Sequence, residues 1–161
     1  ADPHIWLSPK LMKIQAEAIF KSLVSADPDH KADYEANYAA FVREADTLDA
    51  ELKSLFSDIG TNNKFMVFHP SWGYFAKDYG LEQIPVEIGG KEPKPAHIRK
   101  LIDHAKEKGI RVVFVQPQFS PKSAEVISKA INGQVISVDP LAKNWAENLR
   151  QTAQKFRAAL K

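Results

Sequence analysis

The sequence predicts an α/β fold in which one long helix precedes a four-stranded parallel sheet with flanking helices. After Lys64, four short runs of β-branched and aromatic residues alternate with amphipathic stretches. This alternation is typical of a buried parallel sheet whose strands are joined by right-handed helical crossovers. Before Lys64, one apolar stripe continues for about 26 residues at spacings of three and four, which predicts a helix close to 40 Å long.

Two helices are expected before the sheet. Ser8 and Pro9 are typical of a helix start, and an apolar stripe carries this first helix to about Val24. Asp27 and Pro28 repeat the same start signal for the long helix, from Asp29 to Ile59, which Gly60 then ends. The stripe of the long helix consists of Tyr34, Tyr38, Phe41, Ala45, Leu48, Leu52, Leu55 and Ile59.

The remaining residues are predicted to form a three-layer domain. Its strands are the segments FMVF, QIPVEI, RVVFV and QVISV, and its helices cover about residues 71–79, 95–106, 121–131 and 144–160. In a sheet with strand order 2-1-3-4, the ends of the first and last strands would lie roughly 10 Å apart.

The composition excludes several classes of function. The 161 residues are 44% apolar, enough for one domain or for one domain with a long connecting helix. The formal charge of +2 comes from well-mixed signs, so we expect no nucleic-acid partner. The chain has no cysteine, which excludes thiolate catalysis and leaves only nitrogen and oxygen ligands for a metal.

The first residues suggest processing or truncation. The chain starts at Ala1 without an initiator methionine, and no apolar run approaches the roughly 20 residues of a membrane span. We therefore expect a fragment or a processed product whose targeting signal lay upstream.

Three residues form a candidate ligand set for a divalent metal: His4, His69 and Asp139. Each lies in a junction rich in proline and tryptophan, the kind of place where binding residues are often found. In open parallel sheets the ligand binds beyond the carboxyl ends of the strands, and the residues expected there are His69, Glu87, Gln116 and Asp139.

Each candidate also has a purely structural interpretation. Asp139 precedes Pro140 and would serve equally well as a turn residue, and His69 could be a buried histidine that hydrogen-bonds to the backbone. The three tryptophans near the candidate ligands could be packing residues or a dry shell around an ion. His97 and His104 would lie about 10 Å apart along one helix, too far to share an ion.

Five segments together resemble the extracytoplasmic solute-binding receptors of zinc and manganese ABC importers, the helical-backbone metal receptor family. They are DPHIWLSP, ADPDHKADYEANYAAF, VFHPSWGYFAKDYGL, IGGKEPKP and VISVDPLAKNW, and they cover nearly the whole chain. The resemblance implies two lobes joined by one rigid helix, with the metal between them. On this model residues 1–26 are the remnant of the amino-terminal lobe, residues 27–60 the connecting helix and residues 61–161 the carboxyl-terminal lobe.

The resemblance also implies the roles of the candidate ligands. His4, His69 and Asp139 would be the family's second, third and fourth ligands, and the first would be absent together with most of the amino-terminal lobe. Histidine at position 69 is similar to the zinc receptors, whereas manganese receptors carry glutamate there; imidazole suits zinc better than manganese. The implied partners are a zinc ion and an ABC permease, in a periplasmic or extracytoplasmic location. The uncovered first helix would expose an apolar stripe and favour a homodimer.

Other functions compete with zinc transport. A manganese receptor and an adhesin-like surface protein are the nearest alternatives, and a zinc-dependent hydrolase using Glu87 as a base is a more distant one. The sequence has no HExxH, GxSxG or glycine-rich phosphate loop. The expected function is therefore metal capture without enzymatic activity.

Overall fold

The computed structural model describes residues 2–160 and contains the predicted parallel sheet. Its strand order is β2-β1-β3-β4, and every neighbouring pair is parallel; this is the order that the distance argument from the sequence assumed. The strands are β1 (Lys64–Val67), β2 (Glu82–Pro85), β3 (Val112–Val115) and β4 (Gln134–Ser137).

Within residues 2–160, six α-helices accompany the sheet, in the order that the sequence predicts. They are α1 (Pro9–Ala26), α2 (Lys31–Leu55), α3 (Gly73–Asp78), α4 (Pro95–Glu107), α5 (Lys122–Ala130) and α6 (Trp145–Ala159). No helix within residues 2–160 is long and apolar enough to cross a membrane. Ala1 and Lys161, the outer ends of the first and third predicted segments, lie outside the described residues.

The long helix is shorter at both ends than the stripe predicts. A 3-10 turn, Pro28–His30, precedes α2, and the helix ends at Leu55. Phe56 then leaves the helical path and is buried in the core, only 4% exposed. The 25 residues of α2 give a length of about 37 Å.

Only one of the two expected helix-start signals works as predicted. The Ser8 hydroxyl accepts a hydrogen bond from the Leu11 amide at 3.2 Å and so caps α1. The Asp27 carboxylate makes no capping bond of this kind. It is bound instead to His30 and to the Tyr34 hydroxyl, which holds the pKa of Asp27 below its ordinary value.

The sheet separates two apolar clusters, which gives the predicted three layers. Side chains alternate along β1: Phe65 and Val67 face one cluster, whereas Met66 and Phe68 face the other. Helices α2, α3 and α6 cover the first face, and α4 and α5 cover the second.

The segment before α1 is attached to the sheet domain. Leu7 is 1% exposed and belongs to the cluster under α2 and α6. The Trp6 indole donates to the main-chain oxygen of Pro140 at 2.7 Å, and the Trp145 indole donates to the main-chain oxygen of Trp6 at 2.7 Å. The Ser8 hydroxyl donates to Asp78. Residues 4–8 therefore belong structurally to the domain that follows α2.

Helix α1 leaves most of its apolar stripe uncovered by residues 2–160. Ile14, Ile19 and Leu23 are 64%, 49% and 42% exposed. Between α1 and α2 lies an apolar groove of about 380 Å³, where Phe20 stacks on Tyr38. This matches the exposed stripe expected from the sequence.

Candidate metal centre

His69 lies directly after β1, and a buried glutamine fixes its main chain. The side chain of Gln116, fully buried, accepts from the His69 amide at 3.1 Å and donates to the His69 carbonyl at 2.6 Å. The Gln116 side-chain Nε2 also donates to the Ser71 hydroxyl. Because the Gln116 side chain is fully buried and bonds to both polar groups of the His69 main chain, the backbone that carries the imidazole is held in one position.

The imidazole of His69 packs against one aromatic ring, that of Phe119, and has two polar neighbours, Glu87 and His4. Phe119 stacks on it, with ring centroids 5.0 Å apart and planes 21° apart. Glu87 Oε1 lies 2.9 Å from Nδ1, but off the direction of a hydrogen bond, so Nδ1 has no such partner within residues 2–160. The Nε2 atom points the other way, toward His4.

His4 directly precedes the 3-10 turn Ile5–Leu7, and its ring contacts the carboxylate of Asp2. Asp2 Oδ1 lies 2.6 Å from His4 Nδ1 and also accepts from the His4 amide at 3.0 Å. A carboxylate on Nδ1 leaves Nε2 as the nitrogen available to a ligand. The ring meets Trp6 edge to face at a centroid distance of 5.4 Å.

The two histidines face each other. Their Nε2 atoms are 3.2 Å apart, and their ring centroids are 5.1 Å apart at an angle of 74°. A core histidine bonded only to the backbone would not make this contact, since the His69 side chain is 26% exposed and its Nε2 atom meets another histidine. The structure therefore brings two of the three predicted ligands together.

Asp139 does not form a three-donor cluster with this pair in the part of the chain that the structure describes. Its Oδ1 accepts from Gln118 at 2.9 Å and from the Leu141 amide at 3.0 Å, the second being the turn contact that the sequence allowed. Within residues 2–160 no group of three or more His, Cys, Asp or Glu side chains is placed to hold an ion. The loop is nevertheless linked to the His4 segment by the bond between Trp6 and Pro140.

The tryptophans divide between the two roles considered for them. Trp72 is fully buried against Phe75 and Phe156 and is a packing residue. Trp6 and Trp145 are half-buried and connect the His4 segment to the loop after β4 through their indole nitrogens.

Several residues around the site have roles that the sequence did not reveal. Gln116 and Glu87 were expected at strand ends, but their contacts with His69 were not predicted. Asp2, Gln118 and Phe119 were not predicted as neighbours of the ligands at all. For Asp2 a signal existed, because it precedes His4 by two residues and a carboxylate so placed can reach the ring.

Comparisons with known proteins find one matching family model and several related proteins. The family model described as "Zinc-uptake complex component A periplasmic" matches residues 1–159. High-affinity zinc uptake system protein ZnuA of Bacillus subtilis is 33% identical over 135 residues, which cover 83% of this chain and 42% of that protein. ZnuA of Brucella abortus is 34% identical, covering 87% of this chain and 42% of its own length.

Solved structures extend the likeness to the whole fold. A crystal structure of ZnuA superposes with a TM-score of 0.97 at 49% identity, covering 100% of this chain and 63% of that one. The laminin-binding protein Lmb of Streptococcus agalactiae, described as having adhesin and metal transporting activity, gives a TM-score of 0.91 at 31% identity, covering 99% of this chain and 64% of that one. The chain thus spans less than two thirds of the length of these relatives.

Proposed function

The chain belongs to the family of periplasmic zinc-uptake components, and we propose that it is the ion-binding part of a receptor that captures zinc and delivers it to an ABC import permease. The activity is binding outside the cytoplasm, without enzymatic turnover. The observation that carries the proposal is the pair of histidine Nε2 atoms 3.2 Å apart at the edge of the sheet.

This separation fits a shared zinc ion. Zinc binds imidazole nitrogen at about 2.0–2.1 Å, so two nitrogens at tetrahedral positions around it are about 3.3 Å apart. The observed distance is close to this value, and the two rings meet at a steep angle, so one ion between them could contact both nitrogens.

The ligand types favour zinc over manganese. Two imidazoles and one carboxylate form a nitrogen-rich set, whereas manganese prefers sites dominated by carboxylate, carbonyl and water oxygens. A zinc-bound ZnuA deletion variant superposes on this chain with a TM-score of 0.94 at 49% identity, which supports the same choice. Manganese is the second candidate.

We propose that Asp139 supplies the third donor and that a fourth comes from outside this chain's residues. Support comes from the bond between Trp6 and Pro140, which keeps the loop of Asp139 beside the His4 segment. In this proposal residues 1–26 are the end of an amino-terminal lobe, of which residues 4–8 pack against the sheet domain, residues 27–60 are the connecting helix and residues 61–161 are the carboxyl-terminal lobe.

The uncovered face of α1 fits the same division. The solved relatives are longer than this chain, and we propose that their additional residues form a lobe that covers the stripe corresponding to Ile14, Ile19 and Leu23. Without that lobe, the 161-residue chain is expected to cover the stripe by pairing with a second copy, because exposed apolar patches of this kind favour association.

The direct test is a zinc titration of the chain and of two alanine variants. His69→Ala removes one of the facing nitrogens and should reduce zinc affinity at least tenfold. Loss of a residue that only supports a ligand typically reduces metal affinity about 10–100-fold, so loss of a ligand should cost no less. His97→Ala, a half-buried histidine on α4, is the matched control and should bind zinc as the unaltered chain does. Equal zinc affinity in all three proteins would contradict the proposal.

The pH dependence gives a second readout. A proton and a metal ion compete for the same imidazole nitrogen, so zinc affinity should fall as the pH is lowered from 7 to about 5. Binding that stays constant over this interval would exclude imidazole ligation. Laminin binding that persists after EDTA treatment would indicate an adhesive activity separate from metal capture.

A further inference from the structure

The two carboxylate oxygens of Asp139 differ in their hydrogen bonding, and Gln118 contributes to this difference. Oδ1 accepts two hydrogen bonds, from Gln118 Nε2 at 2.9 Å and from the Leu141 amide at 3.0 Å. Within residues 2–160, Oδ2 receives none from a protein donor. A carboxylate oxygen has two acceptor positions, so Oδ1 is saturated and Oδ2 is free.

We propose that Gln118 determines metal specificity by restricting Asp139 to coordination through a single oxygen. This inference rests on the proposed function, because it assumes that Asp139 is a ligand. Zinc in a nitrogen-rich site is tetrahedral and needs one oxygen from each carboxylate. Manganese favours higher coordination with more oxygen donors, which a carboxylate bound through both oxygens would supply.

The loop that carries Gln118 connects the two predicted ligands of the sheet domain. Strand β3 lies between β1 and β4 in the sheet, so the loop after β3 lies between His69 and Asp139. Gln116 of this loop holds the main chain of His69, Phe119 stacks on its imidazole, and Gln118 holds Asp139. Three residues within four positions of this loop therefore contact the two predicted ligands.

Gln118 can be tested separately from the fold. Its side chain is exposed, and its hydrogen bond to Asp139 crosses between two surface loops. The buried glutamine of the same loop, Gln116, makes three hydrogen bonds in the interior and is unsuitable for such a test. Replacing Gln118 by alanine frees one acceptor position on Oδ1 while the Leu141 amide continues to hold the other.

The experiment compares the preference for zinc over manganese in the 161-residue chain and in three variants. Gln118→Ala should lower the ratio of the manganese to the zinc dissociation constant about tenfold, the lower end of effects seen for residues that support ligands. Gln118→Lys keeps a donor to Oδ1 and should preserve the ratio, although its charge weakens both metals. Gln154→Ala on α6 is the control for loss of an exposed glutamine and should also preserve it.

Cobalt substitution adds a readout that a purely structural role would not change. The unaltered chain should give the intense visible absorption of four-coordinate cobalt, and Gln118→Ala should give the weaker bands of a higher coordination number. An unchanged metal ratio and an unchanged cobalt spectrum in Gln118→Ala, with zinc still bound, would overturn the inference alone. Failure of the unaltered chain to bind zinc would overturn the proposed function, and this inference with it.

Discussion

Helices α1 and α6 are both amphipathic, but they differ in what covers their apolar faces. In α6 the buried set includes Leu149, Ala153 and Phe156, each fully inaccessible to solvent. In α1 only Pro9 is buried, and Ile14 and Ile19 are largely exposed. The comparison teaches that an apolar stripe predicts a helix but does not identify the surface that covers it.

The difference separates the chain into a part that completes its own core and a part that does not. Both faces of the sheet are covered by helices of this chain, and α6 takes part in one of these clusters. Helix α1 packs against α2 along one side and has an open groove beside it. The free energy of unfolding should therefore depend strongly on α6 and weakly on the outer side of α1, which carries Ile14, Ile19 and Leu23.

The largest expected effect comes from Phe156→Ala. The ring lies within 5.7 Å, centroid to centroid, of the rings of Phe65, Trp72, Phe75 and Phe114. Its removal leaves a cavity among rigid aromatic neighbours and should lower the free energy of unfolding by about 3–5 kcal/mol. Chemical denaturation followed by circular dichroism measures this change.

Phe20→Ala in α1 is the matched control for that substitution. Phe20 is half-buried and stacks only on Tyr38 among the aromatic residues described, so its loss should cost about 1 kcal/mol. Equal costs for the two phenylalanines would remove the distinction between the two helices.

A smaller effect is expected where the His4 segment joins the sheet domain. Trp6→Phe keeps most of the ring but leaves the Pro140 oxygen without its indole donor. The unfolding free energy should fall by about 1–2 kcal/mol, the cost of leaving a partly buried acceptor without its partner. Zinc affinity should fall as well, since the loop of Asp139 loses a support. An unchanged unfolding midpoint would indicate that the indole bond does not hold the segment in place.

The outer side of α1 should affect association more than stability. Replacing Ile19 and Leu23 together by glutamine removes exposed apolar surface and should change the unfolding free energy by no more than about 0.5 kcal/mol for each residue. Sedimentation velocity should show the unaltered chain as a concentration-dependent dimer and the double variant as a monomer. A monomeric unaltered chain at high concentration would contradict pairing through α1.

The smallest effect concerns Asp27 between the two helices. Hydrogen bonds from His30 and then from Tyr34 lower the pKa of this carboxyl group. Its contribution to stability is therefore complete above the unfolded value of about 3.9 and is lost as the pH falls through the lower folded value. Tyr34→Phe should raise the Asp27 pKa toward its ordinary value in an NMR titration, whereas Tyr38→Phe should leave it unchanged.

The sequence predicted the sheet well because its strands are short, apolar and separated by clear helical patterns. Periodicity also predicted where α1, α4 and α6 begin to within one residue. It could not predict that α2 ends at Leu55, because Phe56 and Ile59 continue the spacing. In the structure Phe56 is the residue that ends the helix, and its side chain is buried in the core. Asp27 was predicted as a capping residue from its position before Pro28, and its actual partner Tyr34, seven residues further along the chain, was not foreseen.

The site was predictable in part from strand ends and from the family resemblance. His4 and His69 were expected near each other, and the structure places their Nε2 atoms in contact distance. The roles of Gln116 and Gln118 depend on contacts 47 and 21 residues away in the chain, which no local pattern contains. The ligand role of Asp139 stays a prediction, since its carboxylate is bound to Gln118 and Leu141.

The indole bonds from Trp6 to Pro140 and from Trp145 to Trp6 bear on how the proposed receptor would release its ion. Moving His4 away from His69 would require both bonds to break and Leu7 to leave the core. In the proposed receptor, His4 and His69 would therefore move together with the sheet domain, as one rigid body, when the site opens. The ion would then exchange with solvent on the side opposite the two histidines, where the proposed fourth donor binds.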